Sequence, residues 1–317
     1  MKRIHIAPMM GWTDQHFRYF MHLLSPSLCL YSEMITTAAL VHGNAEQLLH
    51  RDIDDGDVVL QLGGSDPKQL AQCTRLAKRY GYKEVNLNVG CPSARVQAGK
   101  IGACLYKEPA LVAECVAAMV AATDLPVSVK CRIGVDEIEG LDYLVAFLQR
   151  CADSGCSSVQ IHARKAWLKG LNPKQNRSVP PLDYDLVYAA SQQVDIPIVL
   201  NGGLLTYEAV MRELKRFPAV MIGRCAYKQP CAIRDFVQGI DSSALKPLDS
   251  VLVEYLDYVA SAQGKGYNLM RLLRPLQNVF YAKPNAKHWR IALSDCVQGE
   301  LDVAALQAKV VNDYVCV

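Results

Sequence analysis

Eight short strand-like segments alternate with helical patterns through most of this 317-residue chain. They lie at 4–8, 29–33, 58–62, 85–89, 127–132, 159–162, 198–201 and 220–222. Val85, Leu87 and Val89 show the period-two spacing of a strand, and Gly90 and Pro92 end it. Helix starts punctuate the stretches between. Asp66-Pro67 sets an N-cap before a proline suited to the first helical turn, and Thr206 precedes an apolar face of Val210, Met211 and Leu214. Strict alternation of strand and helix implies a parallel sheet. Eight such units in about 240 residues match a closed (β/α)8 TIM barrel. The rival, an open doubly wound sheet, usually carries a G-x-G-x-x-G turn after its first strand. Here that strand runs into Ala7-Pro8-Met9-Met10, which cannot play that part. Beyond residue 240 the strand pattern stops. Amphipathic helices are expected at 248–262, 267–281 and 301–315, with a linker at Asp241-Ser242-Ser243 and Pro247. The expected organisation is therefore a TIM barrel over 1–240 followed by a small helical domain over 241–317.

In a barrel, all strand C-termini converge on one mouth, and that is where chemistry is done. The residues there are Pro8, Met9 and Met10; Glu33; Gln61; Asn86, Asn88 and Cys91; Lys130 and Arg132; His162 and Arg164; Asn201, Gly202 and Gly203; and Gly223 and Arg224. A lone buried cysteine is usually core, and a lone histidine likewise. Polar or glycine-rich ends on successive strands are hard to explain as packing. Asn201-Gly202-Gly203 and Gly223-Arg224 end the last two strands, where barrels often hold a phosphate on backbone N–H groups; the alternative is tight turns that need positive φ. Lys130 needs an electron-rich partner, because a bare buried ammonium is costly. It could hold an anionic cofactor ring or form a Schiff base. Gln61 and Asn88 offer amide donors and acceptors suited to ring edges. No cluster of carboxylates or histidines suggests a metal, and none is expected.

The twelve cysteines are scattered without a C-x-x-C pair, which argues for a reducing cytoplasm and against a disulfide framework or a structural zinc site. No apolar run approaches the ~18 residues of a membrane span, and the chain enters a strand at once, leaving no room for a signal peptide. A cytoplasmic location is expected. Net charge is only +3, but its distribution is uneven. No acid lies between Asp153 and Asp183, where Arg164, Lys165, Lys169, Lys174 and Arg177 fall. None lies between Asp257 and Asp295, where Lys265, Arg271, Arg274, Lys283, Lys287 and Arg290 fall. Mixed with Trp167, Tyr267, Tyr281 and Trp289, these stretches suit a nucleic-acid surface or an ordinary solvated face.

Taken together, Ala7-Pro8-Met9, Gln61, Asn86-Leu87-Asn88-Val89-Gly90-Cys91-Pro92, Val129-Lys130-Cys131-Arg132, Ile161-His162-Ala163-Arg164, Asn201-Gly202-Gly203 and Met221-Ile222-Gly223-Arg224 resemble the tRNA-dihydrouridine synthase family of FMN barrels. The resemblance covers essentially the whole chain in order. The segment from His162 through Asn172-Pro173 and Asn176-Arg177 to Pro180-Pro181-Leu182 is similar to the bacterial A subgroup, which acts on uridines 20 and 20a of the tRNA D-loop. One departure is Gly11, where an acidic residue is expected before Trp12-Thr13-Asp14.

The resemblance implies that NADPH reduces FMN, that hydride passes from the flavin to C6 of uracil, and that Cys91 protonates C5. An ordinary thiol, with pKa about 8.5, is mostly protonated near pH 7, so proton donation needs none of the lowering that a nucleophilic cysteine needs. Carried over by position, Pro8, Met9 and Met10 line the flavin ring. Gln61, Lys130 and His162 contact its polar edge or ribityl chain. Asn201, Gly202, Gly203, Gly223 and Arg224 hold its phosphate, and Asn88 touches the target uridine. Lys174, Arg177, Arg271, Arg274 and Arg290 become candidates for the tRNA backbone, with a monomer as the expected partner of a single tRNA. The alternative is a small-molecule flavin oxidoreductase of the dihydroorotate or enoate reductase kind.

Overall fold

The computed structural model describes residues 2–241 and 245–310, the side chains of 95 and 96 excepted. Eight strands make the central sheet: β1 (Ile4–Ile6), β2 (Cys29–Tyr31), β3 (Val58–Gly63), β4 (Glu84–Asn88), β5 (Val127–Arg132), β6 (Ser158–His162), β7 (Ile198–Asn201) and β8 (Ala219–Ile222). Each pairs in parallel with its successor, and β8 pairs with β1 through Ile4 opposite Val220 and Ile6 opposite Ile222. The ring is closed, with no free edge, and forms a TIM barrel. A two-residue strand, Ile35–Thr36, adds to β3, and an antiparallel hairpin joins Gly134–Val135 to Ile138–Glu139.

The helix signals act as read. The Asp66 carboxylate accepts from the N–H groups of Lys68 and Gln69 ahead of the helix Pro67–Arg79, and Thr206 caps Tyr207–Glu213 through the Ala209 N–H. All six residues of β3 are buried, because a barrel strand is covered on both faces. Alternation divides those faces. Ala7, Tyr31, Val59, Val199, Ala219 and Met221 pack as one apolar cluster from β2, β3, β7, β8 and the residue after β1. The matching positions of β4, β5 and β6 are polar: Glu84, Asn86, Ser128, Ser158 and Gln160.

The chain separates into two compact units. The first holds Met1–Gly11, Cys29–Asp52 and Asp57–Gly223, and so the whole barrel sheet. The second holds Trp12–Leu28, Ile53–Gly56 and Arg224–Val317. The division at residue 240 remains a proposal about which stretch serves which role.

The second unit is helical in its described elements: Gln15–Leu24, Arg224–Lys228, Pro230–Gln238, Leu248–Gly264, Leu269–Leu273, Ala286–Gln298 and Val303–Lys309. The helix expected over 267–281 is instead a short helix, Leu269–Leu273, running into a 3-10 segment, Arg274–Asn278. Pro275 accounts for the change, since it removes an N–H that a continuing α-helix would use. Residues 311–315 of the last expected helix, and Ser242 and Ser243 of the expected linker, fall outside the described residues. Trp289, grouped by sequence with possible base-stacking aromatics, is fully buried. Its indole N–H donates to the Leu276 carbonyl at 2.7 Å, and its ring meets Phe280 edge-on. It serves this unit's core. No described helix is long and apolar enough to cross a membrane, and no group of three or more potential metal-ligating side chains occurs among the described residues.

Candidate active site

Strand β4 stops at Asn88, and the chain turns sharply through Gly90 and Cys91. The turn is built on the Asn88 side chain, whose Oδ1 accepts from the backbone N–H groups of Gly90 (3.1 Å) and Cys91 (3.0 Å). Cys91 remains partly exposed. Its carbonyl accepts from the Ala103 N–H at 2.9 Å. From below, Arg132 on β5 donates through Nε to the Gly90 carbonyl (3.2 Å) and through Nη1 to the Asn176 carbonyl (2.9 Å). One guanidinium therefore joins the Cys91 turn to the loop after β6. Gln97 makes a second tie, since its Nε2 donates to the carbonyls of Pro92 (2.9 Å) and Leu168 (3.0 Å). The loop after β6 has its own fixed centre in Asn176, fully buried. Its Oδ1 accepts from the Trp167 N–H, and its Nδ2 donates to the carbonyls of Trp167, Leu171 and Asn172. Lys174 and Arg177 stand exposed on this loop.

Lys130 lies opposite Asn88 in the β4–β5 register. Its Nζ donates to Asn201 Oδ1 at 3.1 Å, and Asn201 Nδ2 donates to the Met221 carbonyl at 2.7 Å. Burial lowers the Lys130 ammonium to about 8, and the Arg132 charge adds to the lowering. Burial likewise lowers Arg132 to about 10. Neither makes an ion pair with a carboxylate among the described residues; their hydrogen bonds go to an amide oxygen and to backbone carbonyls.

Gln61 is almost wholly buried. Its Nε2 donates to Asn86 Oδ1 (2.7 Å), and its Oε1 accepts from Asn88 Nδ2 (2.9 Å). Deeper in the barrel, Asn86 Nδ2 donates to Gln160 Oε1 (2.7 Å) and Ser128 Oγ (2.9 Å), and the Ser128 hydroxyl donates to Glu84. Burial raises the Glu84 carboxyl from its usual value, partly offset by the Ser128 hydrogen bond.

Gly202 and Gly203 follow β7 with φ of +111° and +70°. A Cβ on Gly202 would lie 2.5 Å from His162 Cδ2, and one on Gly203 would lie 2.3 Å from Leu182 Cδ1. Glycine is required at both by backbone and neighbours. Gly223 differs. A Cβ there would meet only Ala7 and Met9, at 3.6 and 3.7 Å, so protein packing leaves room for it. Pro8 and Met9 are partly exposed, while Met10 is 63% exposed. Arg224, next in the chain, begins the helix Arg224–Lys228.

In the second unit, Arg271 Nε and Arg274 Nη2 both pair with Asp14 Oδ2, at 3.0 and 2.8 Å. Arg290 is exposed. Of the residues that sequence reading gathered, Gln61 bonds Asn88 and Lys130 bonds Asn201, with Asn88 and Lys130 opposite in register, while Arg271 and Arg274 are joined to a carboxylate.

The dihydrouridine synthase (Dus) family matches residues 5–314 of this chain. The chain belongs to that family. Among its relatives are the tRNA-dihydrouridine(20/20a) synthases of Xanthomonas axonopodis pv. citri, 45% identical over 92% of this chain and 88% of the relative, and of Vibrio cholerae, 44% identical over 92% and 90%. The Synechocystis enzyme of the same name is 45% identical over 92% and 88%. The fold is similar to that of an old yellow enzyme homologue from Zymomonas mobilis, with a TM-score of 0.55 and 12% identity over 77% of this chain and 90% of that one.

Within this family member, sequence reading missed Ser128, Gln160 and Glu84, and did not foresee the ties made by Gln97 and Asn176. A signal for the first three was present. Ser128 and Gln160 stand two residues before Lys130 and His162, and Glu84 stands two before Asn86, so period two turns all of them into the barrel.

Proposed function

We propose that this protein reduces uridine to 5,6-dihydrouridine at positions 20 and 20a of tRNA, with FMN as hydride donor and NADPH as reductant. The observation that carries the reading is the partly buried Lys130 ammonium, whose hydrogen-bond partner is the neutral Asn201 amide and which makes no ion pair with a carboxylate among the described residues, one strand from the Cys91 turn. A partly buried cation of this kind needs an anionic or electron-rich partner. At Gly223 a Cβ would make only ordinary contacts, with Ala7 and Met9, so packing within the protein does not by itself require glycine there. Both features fit a phosphorylated flavin.

When bound, FMN would supply the hydride that adds to C6 of uracil. The residues of the chain supply the rest. Lys130, Gln61 and His162 bind the polar edge and ribityl chain of the flavin, and Pro8, Met9 and Met10 line its ring. Gly202, Gly203 and Gly223 bring backbone to the phosphate beside Asn201, with Arg224 as its guanidinium. Asn88 orients the target base. Both lone pairs of its Oδ1 are taken by Gly90 and Cys91, so it meets uracil with an N–H, a donor suited to the charge that develops on O4. Cys91 gives its Sγ proton to C5. The base must first leave its stack, at a cost of a few kcal/mol. Lys174, Arg177 and Arg290, with Arg271 and Arg274, offset that cost through phosphate contacts.

The test is dihydrouridine formation in unmodified tRNA with FMN and NADPH, with modified positions mapped for wild type and Cys91→Ala. Product at 20 and 20a from wild type, falling at least about 100-fold in the variant, is the expected result. Bound, reducible flavin without product in tRNA, but with turnover of a free pyrimidine or enone, would overturn the substrate assignment.

A further inference from the structure

The amides inside the barrel form a directed chain whose sense can be deduced without assuming it. Backbone N–H groups only donate, so those of Gly90 and Cys91 fix Asn88 with Oδ1 toward them. Asn88 Nδ2 must then face an acceptor, Gln61 Oε1, at 2.9 Å. Gln61 Nε2 in turn faces Asn86 Oδ1 at 2.7 Å. Asn86 spends both hydrogens of Nδ2, on Gln160 Oε1 and Ser128 Oγ. Ser128, having accepted, donates to the Glu84 carboxyl, and Gln160 Nε2 donates to Ser158 Oγ at 3.0 Å. Donors run inward from Cys91 as far as Asn86, where the chain forks, one branch ending on Glu84 through Ser128 and the other on Ser158 through Gln160. The fixed donors at one end and the acceptor at the other impose the same sense.

Asn86 is the joint of this chain. It is fully buried, and its carboxamide bonds to Gln61, Ser128 and Gln160 rather than to the Cys91 turn. We propose that Asn86 is a positioning residue: it anchors the carboxamide of Gln61, and through Gln61 that of Asn88, so that both are held in one orientation before any ligand arrives. The inference rests on reading the mouth as a site for flavin and uridine. Its physical content is preorganisation, since an amide free to turn presents its carbonyl as readily as its N–H.

Two measurements test it. The first is a double-mutant cycle on FMN affinity, read by quenching of flavin fluorescence, with Gln61→Ala, Asn86→Ala and the pair. Each single change is expected to weaken FMN binding about tenfold, and the pair no further than Gln61→Ala alone. Multiplying effects, or an unaltered affinity in Asn86→Ala, would overturn the proposal. The second is hydrogen exchange at the Gly90 and Cys91 amides of the protein without ligand. Exchange is expected to speed up about tenfold in Asn86→Ala, because Asn88 loses its indirect anchor. Unchanged exchange there would overturn the anchoring. If the wild type takes up no FMN, the flavin reading fails and exchange alone decides the role of Asn86. Should Asn86→Ala not fold, Asn86→Ser, too short to reach Gln61, takes its place in both measurements.

Discussion

Arg18, Arg271 and Arg274 in the helical unit and Lys130 and Arg132 at the barrel mouth are answered in opposite ways, although other cations of the barrel unit, such as Lys107 with Asp136, pair with carboxylates. In the helical unit, carboxylates meet them. Arg18 Nε lies 2.6 Å from Asp55, both buried, and Arg271 and Arg274 converge on Asp14, itself nearly buried. That carboxylate also caps the helix Gln15–Leu24 through the Phe17 N–H. In the barrel, Lys130 and Arg132 are met by neutral groups: an amide oxygen for the first and two backbone carbonyls for the second. Paired cations fix a fold, because their charge is answered within it. Cations answered only by dipoles keep a charge to offer, at the cost of desolvation. The contrast sets cations that serve the scaffold apart from two at the barrel mouth that no carboxylate pairs with among the described residues.

The largest expected effect breaks the barrel side of this contrast. Lys130→Met should lower dihydrouridine formation about 100-fold or more, as loss of a charge-stabilising group does. The same change should raise the melting temperature of the flavin-free protein at pH 7. The sign follows from the lowered pKa of Lys130, about 8 against an ordinary lysine's 10.5. Between those values the unfolded chain binds more protons than the folded one, so this lysine opposes folding most at and below pH 8 and less as pH rises toward 10.5. FMN affinity should fall as pH rises above about 8, where the free protein loses the ammonium; a flat affinity through that range would detach Lys130 from anion binding. A smaller effect is expected on the other side. Asp14→Asn should cost roughly 1.5–3 kcal/mol in denaturant unfolding, because two guanidiniums lose a charged acceptor while the helix keeps a capping oxygen. No loss would mean the pairing is ornamental. The smallest effect sharpens the contrast. Arg290 is exposed with no carboxylate in ion-pair range among the described residues, whereas Arg271 is engaged by Asp14. Arg290→Ala should lower the salt slope of tRNA binding by about one, and Arg271→Ala by less. The reverse order would return the Asp14 arginines to the front of RNA binding.

The strands were legible because period two and the turn residues after each one are local signals. The mouth was legible because a parallel barrel sends every strand's C-terminal end to the same place, so Lys130, His162 and Asn201 could be gathered without coordinates. The amide chain was not. Asn86 and Gln160 lie 74 residues apart, and only barrel closure brings them to 2.7 Å. Pairing of Arg271 with Asp14 spans 257 positions and was not legible, because a charge run along the chain says nothing of the acids that folding brings to it. Trp289 misled for a related reason. An aromatic among basic residues reads as a surface group until packing assigns it to a core.

The sequence by itself determined the periodicities, and with them eight parallel strands, the polar strand ends, and a resemblance carried by short motifs with fixed spacing. Those are properties of neighbouring residues. The tertiary structure alone decided which cations go without a carboxylate partner, which way each buried amide faces, and which glycines their neighbours require. Each of these depends on groups far apart in the chain meeting within hydrogen-bond distance, where burial makes an unmet charge or donor costly.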